Sequence, residues 1–281
     1  MIRAWLDLPA FGIFATLCVL YFGIALALAT LAFRSPLSAR IKTLNGVVAP
    51  FFSAVAILFG LLSGFLASDV GDRNRQALRA VQTEAGELNN IYTLSVASVT
   101  DMHEIRIALK DYARSAARDE WPAMLDGGHS QATATVYDDL LRRVSDPSIT
   151  RDASAAVHSA LLTAAVRVGN ARTDRLSLSS DTTNDLKWIS VLILGVMTQI
   201  ALMLVHLEKP RAMLAALTVF STAAVVALGL IALQEHPFQG TFRVSPAPLQ
   251  RLLELSDLTH PAPGDAPAVV PATPAAAPAA K

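Results

Sequence analysis

Four long runs of apolar residues constrain this chain more than any other feature of its sequence. None of them contains Asp, Glu, Lys or Arg, and together they hold 89 of the 281 residues. A helix needs about 20 mostly apolar residues to cross a bilayer. The sequence therefore predicts an all-α membrane protein with four transmembrane helices, and it excludes an ordinary soluble enzyme and a disordered chain. The predicted spans are residues 10–33, 47–68, 188–207 and 212–234.

The spans come in two pairs, separated by a long polar stretch. Short connections, 34–46 and 208–211, join the members of each pair, which predicts two helical hairpins. The stretch between the pairs carries 31 of the chain's 46 Asp, Glu, Lys and Arg residues, so we expect a soluble domain there. The predicted organisation is a first hairpin over 1–68, a soluble helical domain over 69–187, a second hairpin with its flank over 188–260, and a disordered Pro/Ala-rich tail over 261–281.

The soluble stretch has the pattern of packed helices. Residues 72–120 contain no proline and repeat apolar side chains at steps of three and four, which predicts one long helix continuing from the second span. Trp121-Pro122 and Asp126-Gly127-Gly128 predict a break after it. Two further helices are predicted over 133–144 and from about 150 to 178.

Charge and cysteine content exclude several functions. The chain has 23 basic and 23 acidic residues, so no broad basic face for nucleic acid is expected. Cys18 is the only cysteine, which excludes an intrachain disulfide and a cysteine-based metal site. His103-Glu104 begins like a zinc-protease motif, but Ile107 stands where the second histidine is required. We therefore expect no enzyme, no cofactor and no metal, and we interpret Glu84 and Glu87 as part of a solvated face or as helix caps.

The second span combines a small face with a bulky one. Gly60 and Gly64 form a GxxxG motif, which allows another helix to approach closely. Phe51, Val55 and Phe59 follow at i, i+4 and i+8 and centre about 160° away around the helix. Facing a symmetry axis, this stripe would form a hydrophobic constriction that closes a channel by dewetting. The alternative is that the stripe faces lipid or a neighbouring helix.

Two polar residues interrupt the third span. Gln199 and His206 lie seven residues apart and hence on one face, beside Thr198. Polar side chains within a span usually face the bundle interior or a water-filled cavity. His206 is close to the end of its span, so an interfacial position is the simpler explanation for it.

The sidedness of the protein stays open at this point. The two short connections contain five Lys or Arg residues, whereas ten lie near the spans on the opposite side. The total count of Lys and Arg places the soluble domain inside. The positive-inside rule, however, is reliable mainly for short loops. Applied only to the two short connections, it places those connections inside and the soluble domain outside. Arg34, Arg40 and Lys42 follow the first span like a stop-transfer flank, so we expect a retained helix rather than a cleaved signal peptide.

Several local strings resemble a family of bacterial four-span membrane proteins described as bestrophin-like, a domain of unknown function. The resemblance covers about residues 10–255, and its closing strings are the most specific. The strings are Ala49-Pro50-Phe51-Phe52, Glu84-Ala85, Leu186-Lys187-Trp188-Ile189, Leu194-Gly195, Val205-His206-Leu207, Gly229-Leu230-Ile231, His236-Pro237-Phe238-Gln239-Gly240 and Val244-Ser245-Pro246-Ala247-Pro248-Leu249.

This resemblance implies a homo-oligomer, a pentamer in bestrophins, that conducts small anions and has cytosolic helices between the second and third spans. It implies a hydrophobic neck on the second span, here Phe51, Val55 and Phe59. Val55 is smaller than the bulky residues of the bestrophin neck. No acidic calcium clasp matches. The expected protein is a multi-pass channel of the bacterial inner (cytoplasmic) membrane, whose partners are further copies of itself, the lipid bilayer and small anions. The alternative is a non-conducting helical sensor or scaffold.

Overall fold

The protein is built from helices. The structure, a computed structural model, describes residues 2–36, 38–43, 49–125, 127–181, 183–240 and 242–255, and no strand occurs among them. The helices are α1 Ile2–Leu6, α2 Ala10–Phe33, α3 Ser38–Lys42, α4 Ala49–Ala97, α5 His103–Ser115, the π-helix Ala116–Glu120, α6 Trp121–Leu125, α7 Gln131–Val144, α8 Ser148–Asp152, α9 Ala155–Ser180, α10 Asp185–Val205, α11 Pro210–Ala232, α12 Ala247–Arg251 and the 3-10 turn Leu252–Glu254.

Four helices are long and apolar enough to cross a membrane, which confirms the predicted fold class. They are α2, α10, α11 and the first part of α4. α2 coincides with the predicted first span at both ends. The third and fourth spans each begin and end about two residues before the predicted limits. Residues 47 and 48 of the predicted second span lie outside the described residues, as does the predicted tail.

The second span continues into the soluble region without interruption. α4 runs through 49 residues, a length of about 74 Å at about 1.5 Å per residue. The hydrocarbon core of a bilayer is about 30 Å thick. More than half of α4 therefore projects beyond the membrane, as the absence of any turn signal after residue 68 predicts.

The long helix predicted over 72–120 is wrong in its second half, because α4 ends at Ala97. Ser98 Oγ accepts a hydrogen bond from Thr100 N at 3.3 Å, and Asp101 Oδ1 accepts one from His103 N at 3.0 Å. These short polar side chains give the backbone alternatives to helical hydrogen bonds. The chain turns here and returns as α5.

The predicted break does not begin at Trp121-Pro122, because the helical path continues through these residues and ends at Leu125, just before Asp126-Gly127-Gly128. A π-helix turn precedes these residues, and α6 continues to Leu125. The last soluble helix is divided instead, because Ser154 starts α9 as its N-cap by accepting a hydrogen bond from Val157 N at 3.2 Å. Serine is among the most favourable N-cap residues.

Three apolar clusters hold the helices together. The largest lies in the soluble region, where α4, α5, α7 and α9 pack with the end of the described chain. A second cluster joins the spans on the soluble side, around Leu66, Trp188 and Leu228. The third joins them at the end of the short connections, around Ala32 and Met213. The four spans thus form one bundle with two distinct ends.

Candidate functional site

The second span leaves one face uncovered by its own chain. Ile57, Leu61 and Phe65 are 68%, 53% and 63% exposed. They follow one another at i, i+4 and i+8, so they form one stripe along α4. We call these three residues the exposed stripe. Nothing in the sequence of this span distinguishes the stripe from the other faces, because all are apolar.

The opposite face of the same span packs on the bundle. Leu66 is buried in the span cluster on the soluble side. The ring centroid of Phe59 lies 5.4 Å from that of Phe220 on α11, and Phe52 packs in the cluster at the short connections. This face of α4 therefore meets helices of the same chain.

The predicted stripe of Phe51, Val55 and Phe59 lies across the boundary between these two faces. Phe51 is 49% exposed, whereas Val55 and Phe59 are half-buried. The ring of Phe59 contacts α11 of its own chain. Its role in a constriction stays a prediction.

The glycines of the GxxxG motif meet no other helix among the residues that the structure describes. A Cβ atom at Gly60 or Gly64 would find nothing within 4 Å. Close approaches occur instead at Gly195, where a Cβ would overlap the ring of Tyr21, and at Gly229, where it would overlap Phe14. A packing role for the GxxxG motif between subunits stays a prediction. Close packing within the bundle depends on Gly195 and Gly229, which the sequence marks only as members of the bestrophin-like strings and not as packing positions.

Outside the membrane, the exposed face of α4 becomes polar. Gln76, Arg79 and Thr83 line a groove of about 610 Å³ between α4 and α9, and a second groove of about 410 Å³ includes Asn90. Arg79 makes no hydrogen bond or ion pair with a described residue. One helix therefore presents an apolar stripe in the bilayer and lines a polar groove beyond it.

The polar residues of the third span differ in their surroundings. Gln199 is fully buried, and its Nε2 donates to the Tyr21 carbonyl at 2.9 Å and to Ser221 Oγ at 2.8 Å. It therefore links α2, α10 and α11 inside the bundle. His206 is half-buried just after α10, with Nδ1 3.0 Å from the Leu202 carbonyl.

The end of the bundle at the short connections is rich in exposed basic side chains. Each flanks a member of the third apolar cluster, such as Phe33 or Met213. None of them forms an ion pair with the part of the chain that the structure describes. Glu208 is the only acidic residue in the two short connections. We call this group the basic rim: Arg34, Arg40, Lys209 and Arg211.

A buried ion pair lies where α4 leaves the membrane. Arg73 Nη2 on α4 is 3.2 Å from Oε1 of Glu235, which follows α11, and both side chains are buried. Thr183 N donates to Oε1 at 2.7 Å, and Trp188 Nε1 on α10 donates to Oε2 at 3.2 Å. Glu235 thus accepts hydrogen bonds from three separate segments. We call this arrangement the Arg73–Glu235 junction.

A second buried network lies deeper in the soluble helices. Arg175 on α9 donates from Nε to Glu84 Oε2 at 2.6 Å and from Nη2 to Glu120 Oε2 at 2.8 Å. Tyr112 Oη donates to Glu84 Oε1 at 2.5 Å, and Arg172 Nη2 is 2.5 Å from Glu120 Oε1. The prediction that Glu84 belongs to a solvated face is therefore wrong, because the carboxylate is buried and paired with a distant arginine.

The charges of this network set the ionisation of its members. Burial opposes ionisation of Glu120, but hydrogen bonds from Arg172 and attraction to Arg175 outweigh it and lower the pKa of Glu120. Burial and the neighbouring Glu84 carboxylate raise the pKa of Tyr112 well above its usual value. Both carboxylates accept hydrogen bonds from guanidinium groups of α9, so Glu84 links α4 to α9 and Glu120 links the π-helix turn to α9.

No group of three or more potential metal ligands occurs among the residues that the structure describes.

The helical bundle, the continuous second span and the soluble helices together define a class of four-span membrane protein. Residues 19–249 match the family model of the Bestrophin-like domain. The chain belongs to the bestrophin-like family. Among curated proteins, none matches it.

Solved structures share this fold. A tryptophan-to-alanine variant of a bacterial bestrophin homologue from Klebsiella pneumoniae is 12% identical with a TM-score of 0.64, covering 87% of this chain and 96% of that chain. A leucine-to-threonine variant of this homologue is 13% identical with a TM-score of 0.61, covering 86% and 96%. A crystal structure described as a membrane protein is 10% identical with a TM-score of 0.66, covering 86% and 95%. At these identities the likeness concerns the fold.

Proposed function

We propose that this protein is a homo-oligomeric channel for small anions in the bacterial inner membrane. The observation that carries this proposal is the uncovered face of α4, apolar within the bilayer and polar beyond it. Bestrophin-like membership supports the self-association, and a pentamer is the expected assembly.

The second span is the least covered of the four. Only 6% of its most apolar window is buried within the chain, against 44% for the third span. Lipid alone would account for an uncovered apolar face, but the same face of α4 continues into a polar groove in water. A face with both properties suits the wall of a conduit along a symmetry axis.

Two stripes on α4 compete for the constriction. Exposure favours the exposed stripe of Ile57, Leu61 and Phe65, whose side chains have no partner helix in their own subunit. The stripe of Phe51, Val55 and Phe59 is the rival. A ring of bulky apolar side chains would close the conduit by dewetting in either case.

The basic rim supports the choice of anions. Five basic residues and one acidic residue occupy the two short connections of each subunit, and assembly would multiply this excess around one end of the bundle. Clefts lined by charge of one sign raise the local concentration of the opposite ion. Rings of Arg and Lys are a known means of favouring anions in pores.

Recording ion currents from purified oligomers in planar bilayers tests the proposal. We expect a chloride-dependent current, which Leu61→Ala increases several-fold by widening the exposed stripe. Val55→Ala is the matched substitution on the rival stripe, and an increase only with this variant would transfer the constriction to Phe51, Val55 and Phe59. A homogeneous oligomer that passes no ions at any voltage, with and without these substitutions, would favour the sensor or scaffold.

A further inference from the structure

The Arg73–Glu235 junction joins α4 to the segment that follows α11, two elements whose relative position would set the width of a channel of this architecture. Arg73 belongs to the helix that carries the exposed stripe, and Glu235 follows directly after the fourth span. Arg73 also donates to the Asp181 carbonyl at 3.2 Å and to the Thr183 hydroxyl. Asn74 Nδ2 donates to the Gln234 carbonyl at 2.7 Å. The segment before α10 and the segment after α11 are therefore both fixed to α4 at a single level.

The chemistry of the junction specifies one arrangement. Removing two charges from water costs energy, and apolar residues of similar size could have filled the same space without this cost. A buried carboxylate, however, requires its donors in fixed positions, since an unpaired buried charge is strongly unfavourable. An ion pair here therefore restricts how α4 sits against the segments that donate to Glu235.

A chain of contacts connects the junction with the soluble helices. Phe238, three residues after Glu235, packs edge-on against Trp121 with ring centroids 5.6 Å apart. The guanidinium carbon of Arg175 lies 5.4 Å from the centroid of Trp121. Gln239 Nε2 donates to the Leu125 carbonyl at 2.6 Å. Movement of α6 would therefore reach the segment that holds α4.

The junction lies between the exposed stripe and the soluble part of α4, so a tilt of the helix about the junction would displace the stripe. Arg73 lies 8 to 16 residues after the exposed stripe and 11 residues before Glu84, which corresponds to about 12–24 Å and about 17 Å along the axis. A tilt of about 5° around this point would displace Ile57 by about 2 Å. A displacement of this size changes the width of a narrow apolar ring.

We propose that Arg73 and Glu235 are positioning residues that form the pivot of α4, through which the soluble helices set the width of the exposed stripe. This inference rests on the proposed channel function. It assigns a regulatory coupling to residues outside the conduit, and it predicts an effect on gating without an effect on ion selectivity.

Single-channel recording of the full-length oligomer tests the pivot. Glu235→Gln and Arg73→Gln should each change the open probability at least fivefold, while the anion-to-cation permeability ratio stays within twofold of the wild type. Asp69→Asn is the matched control, since Asp69 and Lys187 form an exposed pair between α4 and α10 with N and O 2.9 Å apart. It should leave both quantities unchanged. A correctly assembled Glu235→Gln oligomer with wild-type open probability would overturn the pivot.

Hydrogen exchange separates failure of the pivot from failure of the proposed function. Glu235→Gln should accelerate amide exchange in residues 116–125 at least threefold, and Asp69→Asn should not. If the wild type carries no current, the proposed function fails, and exchange alone decides whether the junction couples to α6. Unchanged exchange in an assembled Glu235→Gln oligomer would overturn the coupling.

Discussion

Arg175 and Glu84, which are 91 residues apart in the chain, form a fully buried ion pair with two hydrogen bonds of 2.6 and 3.0 Å. This pair joins α9 to the extension of the second span. Glu120, on the π-helix turn, accepts a hydrogen bond of 2.8 Å from Nη2 of the same guanidinium. π-helix turns frequently mark functional positions. The soluble helices are thus held to α4 by ion pairs, of which the Arg175–Glu84 pair is fully buried, and by apolar packing along their length.

Removing one partner of this pair should destabilise the soluble helices strongly. Glu84→Gln leaves Arg175 buried without its principal counter-charge, and breaking a buried pair in this way costs about 3–5 kcal/mol. Asp111→Asn is the control, because Asp111 and Arg114 form an exposed pair with N and O 2.5 Å apart, for which about 0–1 kcal/mol is expected. Thermal unfolding of both variants in detergent measures the difference. Equal shifts would contradict the assigned role of Glu84.

The pH dependence of stability should identify Glu120. Its pKa is lowered in the folded protein, so its ion pairs stabilise the fold above the ordinary glutamate pKa of about 4.3 and are lost as the pH falls below it. The melting temperature of the wild type should therefore fall on acidification. Glu120→Gln should be less stable than the wild type at pH 7, and the gap should narrow towards pH 3. A constant gap over this range would show that protonation of Glu120 does not contribute.

Four glycine substitutions should separate packing within a subunit from packing between subunits. Gly195→Ala and Gly229→Ala force a methyl group against the rings of Tyr21 and Phe14, and overpacking of this kind costs about 1–3 kcal/mol. Gly60→Ala and Gly64→Ala add a methyl group in open space within the chain. We expect only the first pair to lower the stability of the folded subunit.

The second glycine pair also tests the predicted helix interface. If the GxxxG motif packs between subunits, Gly60→Ala and Gly64→Ala should weaken the oligomer without unfolding the subunit. Size-exclusion chromatography with light scattering measures this effect. An unchanged oligomer would place the motif against lipid.

The basic rim should give a current that depends on its charge. Arg34→Glu combined with Lys209→Glu should lower the anion-to-cation permeability ratio at least about threefold in 0.1 M salt, because the rim concentrates anions at one mouth. The effect should weaken in 1 M salt, where the Debye length falls to about 3 Å. Reversal potentials at the two concentrations measure both quantities.

A matched charge reversal far from the rim controls for net charge. Arg151 is exposed on α8 in the soluble helices, and Arg151→Glu should leave the permeability ratio within its experimental error. An equal effect of Arg151→Glu would mean that total charge, rather than the rim, sets the preference. A salt-independent effect of the rim substitutions would point to a change in structure or to bound anionic lipid.

The architecture could be predicted from composition along the chain, because a bilayer demands length and low polarity from each span. The first span was predicted with both of its ends. The faces of the second span could not be predicted in this way, since its residues are apolar on every side. Contacts such as that of Phe59 with Phe220 and the burial of Leu66 distinguish the inner face from the exposed stripe.

The polar residues likewise include some whose positions could be predicted from the sequence and some whose positions could not. That Gln199 should face the bundle interior could be expected, because a polar side chain in hydrocarbon requires a partner. That Glu84 is buried, or that Glu235 receives three donors, could not be predicted, because their arginine partners are 91 and 162 residues away and the other donors to Glu235 are 47 and 52 residues away.

The sequence by itself determined that this chain spans a membrane four times and inserts a helical domain between two hairpins, since hydropathy is a property of each segment alone. The tertiary structure decided which face of α4 remains uncovered and which charges meet in its interior. These depend on contacts between segments far apart in the chain, and local sequence does not encode such pairings.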